Sequence, residues 1–160
     1  MSFSKQLAQQ FTDVYLSGNW VATNLKTQLS DLSWEQATTK IENLNTIAAL
    51  AYHINYYIAG VANALETGNL EIRDKYSFDY PVIENQDTWA QLQEQIWKDG
   101  QRFIDQIEQL SDADLQDDFV DAKYGPTFRN IVAMIEHTNY HLGQIVLLKK
   151  LVLAQSEASD

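Results

Sequence analysis

The chain has 160 residues, 45% hydrophobic and 11% aromatic, with a formal net charge of −11 and no cysteine. That length suits one domain with a real core, and the apolar content excludes an acidic disordered chain. The acidity argues against nucleic acid and anionic membrane partners, which need Lys/Arg clusters that the chain lacks, and the missing cysteines exclude disulfides, thiolate ligands and a cysteine nucleophile.

Residues 1–6 show no basic stretch followed by an apolar one, so no secretory signal is expected and the cytoplasm is the expected location. Leu7, Phe11, Val14 and Tyr15 recur at helical spacing and predict a first helix over residues 4–17. Ser17-Gly18-Asn19 reads as its stop. Val21, Leu25 and Leu29 continue the apolar stripe, so a kink in place of a stop stays open. Ser33 and Gln36 form a capping-box pattern that predicts a short helix or the lead-in to the next one.

From residue 45 to residue 65 there is no Asp, Glu, Lys or Arg. The length would suit a membrane span. His53, Asn55 and Asn63 inside it, with no basic flank, point instead to a helix buried at the centre of a bundle. Gly68 is placed to end it in a left-handed conformation. Residues 70–86, with Pro81 and no sustained period, read as a long connection crossing the bundle end. Trp89, Ile96, Phe103 and Leu110 then fall seven apart, with Leu92 and Ile107 between them, which marks a core-facing helix. Gly100 lies on that stripe, where it allows close helix approach or leaves room for a ligand.

Residues 111–125 hold five aspartates. A calcium loop starting at Asp112 would put Asp117 where glycine is needed and Lys123 where the bidentate glutamate belongs, so a solvated acidic loop is expected. Pro126 and Thr127 open the last helix, expected to run to about Leu153 and to leave a polar, frayed tail over residues 155–160. The pattern therefore predicts an all-α fold: a four-helix bundle in one domain, residues 1–154, with a long crossover connection between helices 2 and 3.

The chemistry-bearing residues are the three histidines. His137 and His141 are four apart, so their rings share one helix face one turn apart. His53 lies in the other most apolar segment, and a fold that packed the two segments together would complete a three-His site. Three imidazoles plus an open position are the donor set of a catalytic zinc-type centre. Histidines that serve only as hydrogen-bonded core residues are the competing reading. The residue after His137 is Thr138, so the glutamate base of His-Glu-x-x-His is missing. Gly-x-Ser-x-Gly and a phosphate-binding glycine loop are absent too.

Around the histidines, Tyr56, Tyr57 and Tyr140 are candidates to donate a proton or position a substrate, or are simply tyrosines capping the core. Gln144 shares the face of His137 and His141 and is better placed than Glu136 to orient an imidazole. Trp89 belongs to the core by period, whereas Trp20 is a candidate for a pocket mouth or for packing.

One histidine in the second long helix (Leu50-Ala51-Tyr52-His53-Ile54) with a late His-x₃-His (Ile135-Glu136-His137-Thr138-Asn139-Tyr140-His141-Leu142-Gly143-Gln144-Ile145) resembles the DinB/YfiT-like superfamily. The likeness extends to Gly18-Asn19-Trp20 and to the long connection before the third long helix. It implies a four-helix bundle that binds a divalent metal, zinc or nickel, through His53, His137 and His141. Characterised relatives are thiol-dependent: transferases using bacillithiol or a similar thiol, and a mycothiol-dependent isomerase. The expected function is thus a metal-dependent transferase or hydrolase acting on a small molecule, with a low-molecular-weight thiol supplied by the ligand. A non-catalytic, stress-related metal-binding bundle is the alternative. Family likeness and surplus apolar helix surface imply a homodimer.

Overall fold

The computed structural model describes residues 1–18 and 22–157. Asn19, Trp20 and Val21, and with them the expectation placed on Trp20, lie outside the described residues, as does 158–160 of the expected tail. Among the described residues the fold is all-α, with no strand beyond one isolated bridge between Asp118 and Pro126. Seven α-helices are described: α1 Phe3–Tyr15, α2 Leu25–Leu29, α3 Trp34–Thr38, α4 Ile47–Thr67, α5 Gln86–Gln109, α6 Asp112–Gln116 and α7 Thr127–Glu157. Among the described residues no helix is long and apolar enough to cross a membrane.

The caps explain the boundaries. The first helix stops instead of kinking: Gly18 takes a φ of +80° and Asn24 caps a separate α2 through the Thr27 amide. Ser33 and Gln36 close the expected capping box on α3. Gly68, at φ +73°, ends α4 as read. Two boundaries differ from the sequence reading. The acidic stretch is not wholly loop, because Ser111 and Asp114 form a capping box that starts α6 and buries Leu115, with Phe119 buried just after it. The last helix continues to Glu157, so 155–157 are helical.

Phe11, Tyr15, Trp89, Ile96, Phe103 and Ile107 are fully buried between α1, α4 and α5, each such side chain contributing about 1.5–3 kcal/mol. Trp89 keeps its indole N–H satisfied on the Leu32 carbonyl at 3.1 Å. Gly100 serves close approach. The Tyr15 ring lies against its backbone, and a β-carbon there would sit 2.6 Å from Tyr15 Cδ1. Tyr15 Oη donates to Asn55 Oδ1 at 3.1 Å, and Asn55 Nδ2 donates to Asp99 Oδ2 at 2.9 Å, which Gln95 Nε2 also reaches at 2.8 Å. This chain of partners is how the central helix carries a buried asparagine without an orphaned amide.

Helix α4 and helix α5 run the same way, since Asn55 meets Asp99 and Asn63 meets Arg102. Helix α7 runs against α4. Two same-way helices in sequence need a return path, and residues 70–85 supply it. They do not cross a bundle end. They run back beside α4, with Ile72 against Gly60, the Arg73 backbone on Tyr56 Oη, Phe78 on His53 and Tyr80 near Tyr52. The physical reason is local. Gly60 has no side chain in the way of Ile72, and the α4 tyrosines hydrogen-bond the returning segment.

Candidate metal centre

Helix α4 carries His53 and helix α7 carries His137 and His141, and their antiparallel packing brings all three together. One nitrogen from each lies within 4.8 Å of the others. His53 Nε2 and His137 Nε2 are 3.2 Å apart. The ring centroids are separated by 5.0 Å (His53–His137), 4.8 Å (His53–His141) and 4.6 Å (His137–His141). His53 and His141 are buried, at 8% and 9% exposure, and His137 is half-buried.

This donor set fits a metal ion. Two neutral ring nitrogens at 3.2 Å cannot turn lone pairs on each other, so a proton or a cation must lie between them. Tetrahedral ligands with bonds of about 2.0–2.1 Å stand about 3.3 Å apart, close to that spacing. The third ring is set for the same role. His141 Nδ1 donates to Gln144 Oε1 at 2.7 Å, because an amide oxygen only accepts, and in the neutral ring this tautomer leaves the Nε2 lone pair for a metal. Gln144 thus occupies the orienting place its spacing suggested. Among the described residues the Nδ1 atoms of His53 and His137 have no hydrogen-bond partner.

Burial favours the neutral form of His53 and His137, the form that binds metal. Burial, then the neighbouring His141 and His53, push His137 down to about 4. His53 is also lowered, by burial first and by His141 next, against an opposing pull from the Ser77 backbone and Asp74.

The walls come mostly from residues that periodicity does not mark. Phe78 stacks on His53 at 4.2 Å and 13°. Tyr57 lies edge-on to His53 at 5.1 Å and to His137 at 5.0 Å. Its hydroxyl donates to Asp74 Oδ1 at 2.9 Å. Tyr56 turns its hydroxyl to the Arg73 backbone, where it holds the returning segment. Tyr140 is 66% exposed, with its ring 4.9 Å from His141. Glu136 is exposed and outside the cluster. The one sequence cue to Phe78 was the aromatic alternation Tyr76, Phe78, Tyr80 in an otherwise unpatterned stretch.

The DinB superfamily model matches residues 19–145, well over half of the chain, and takes in all three histidines. No curated protein and no solved structure matches the chain.

Proposed function

The chain belongs to the DinB superfamily, and from that premise we propose that it is an enzyme holding one divalent transition metal, zinc or nickel, on His53, His137 and His141. The reaction is a transfer or hydrolysis on a small molecule, with a low-molecular-weight thiol as co-substrate in the transfer case. The observation that carries this reading is the convergence of three ring nitrogens from two helices, two of them at 3.2 Å. An ion held by three imidazoles supplies Lewis acidity at an open position, which lowers the pKa of a water or thiol there.

The protein's own contribution is placement. Burial favours neutral His53 and His137, Gln144 fixes the His141 tautomer, and Phe78 and Tyr57 limit the freedom of the His53 ring. Because the chain lacks cysteine, a thiol nucleophile comes from the ligand. Its sulfur displaces a leaving group from an electrophilic carbon and its proton is released.

The same reading treats α1, α4, α5 and α7 as a four-helix bundle with residues 70–85 as the crossover, residues 1–154 as one domain, and the protein as a cytoplasmic homodimer. The test is turnover by zinc- or nickel-loaded protein of thiol and electrophile pairs and of ester and amide substrates. Turnover abolished by His141→Ala supports the enzyme. Tight metal binding and a chelator-sensitive Tm with no turnover would overturn it and leave a non-catalytic metal-binding protein, a reading that the burial of His53 and His141 favours.

A further inference from the structure

A cavity lies one helical turn from the histidine cluster, with Gln144 between them. Leu50 lies one turn before His53 on α4, and Gln144 lies one turn after His141 on α7, so both helices lead from the histidines to the same place. There they bound a cavity of ≈ 290 Å³. Its inner wall is Leu50 and Leu148, 3% and 5% exposed. Its mouth is Leu44 and Leu147, 48% and 59% exposed. Asn45 and Gln144 are among the polar groups, and among the described residues no charged side chain lines it. The loop that closes it departs from ordinary backbone geometry at Glu42, a non-glycine residue at φ +46°.

Aromatic rings pack on other sides of the cluster. Phe78 covers one face of His53, and Tyr57 packs on His53 and His137 towards the C-terminal half of α4. Gln144 belongs to both places, since its amide holds His141 and its side chain lines the cavity.

We propose that this cavity is the substrate subsite of the histidine centre and takes the uncharged, apolar part of a small molecule whose reactive end faces His53, His137 and His141. The proposal rests on the metal reading for its reactive end only. An acidic chain with a charge-free, leucine-lined cavity selects against charged ligand bodies, because a charge seated there would be desolvated without a partner. The amides can satisfy one or two polar atoms and fix orientation.

The test uses the neutral fluorophore 1-aminoanthracene on the full chain, first without metal. One saturable site per chain is expected. Leu147→Asp and Leu44→Asp, at exposed positions that tolerate a carboxylate, should each weaken binding about tenfold. Leu153→Asp, outside the cavity, should leave it unchanged. Linear alcohols should displace the fluorophore with about a fourfold gain per added methylene. In cobalt-loaded protein the bound fluorophore should be quenched. Absence of saturable binding, indifference to both aspartate variants, or unquenched emission with cobalt bound would each overturn the proposal. So would binding that vanishes on dilution together with dissociation of a dimer, which would give this face to a second copy of the chain. If cobalt does not bind while the fluorophore does, the metal reading fails and the cavity remains a ligand site.

Discussion

Gln144→Ala is the most informative single change near the histidines. Gln144 accepts the Nδ1 proton of His141 at 2.7 Å, and His141 is only 9% exposed. Removing the acceptor frees the ring to rotate and lets its proton move to Nε2, where it competes with a metal. Losing such an orienting partner typically lowers metal affinity about 10–100-fold, or about 1.4–2.7 kcal/mol. The metal-free protein should change less. An unpaired buried N–H costs about 1–3 kcal/mol, and the truncated side chain admits water from the adjoining cavity, which favours the low end of that range. Gln144→Glu restores an acceptor with a charge and should hold zinc at least as tightly as the parent. Zinc affinity measured by competition with a chromophoric chelator, with Tm of the metal-free proteins alongside, reads both effects. Affinities of both variants within about twofold of the parent would refute the assignment of His141 as a metal-facing ring oriented by Gln144.

Three further expectations come from the same structure. Gly100→Ala should destabilise by about 1–3 kcal/mol in urea unfolding despite alanine's helix preference, because the new β-carbon meets the fully buried Tyr15 ring; a more stable variant would contradict that packing. Ser33→Ala should lose about 1 kcal/mol, since it deletes the capping box of α3, and an unchanged unfolding midpoint would show that the cap is dispensable. Metal-free protein should be most stable between its acid and alkaline limbs. On the acid side the unfolded chain protonates His137 near 6.5 whereas the native ring resists to about 4, so Tm should fall as pH drops through that window. On the alkaline side burial and then Asp99 hold the Tyr15 phenol neutral well above 10, so stability should fall above pH 10, and Tyr15→Phe should flatten that limb. A Tm that does not respond to pH on either side would refute both assignments.

The long helices were legible because each carries its own periodic or compositional signal. Trp89, Ile96 and Phe103 repeat by sevens, and the segment from 45 to 65 is free of charge. The caps at Ser33 and Gly68 are local chemistry and were readable for the same reason. The three histidines were legible as a candidate cluster from spacing and helix placement, and Gln144 from its position on their face. What escaped was long-range. The path of residues 70–85 depends on Gly60 leaving space for Ile72 and on Tyr56 and Tyr57 binding Arg73 and Asp74, contacts between segments about 12–17 residues apart with no periodic trace. Phe78 on His53 follows from that path. Helix α6 was hidden by its five-residue length and acidic composition, although Ser111 and Asp114 spell its capping box. The Tyr15–Asn55–Asp99 chain joins three helices, and only Asn55 stood out beforehand, as a polar residue in an apolar run.

The central claim is that these histidines hold a metal ion. Its most direct test is metal content by elemental mass spectrometry on tag-free protein, with the His137→Ala/His141→Ala double variant measured alongside. About one zinc or nickel ion per chain is expected in the parent and none in the double variant. A parent protein that retains no metal after incubation with either ion would contradict it, and would return His53, His137 and His141 to the core as hydrogen-bonded side chains.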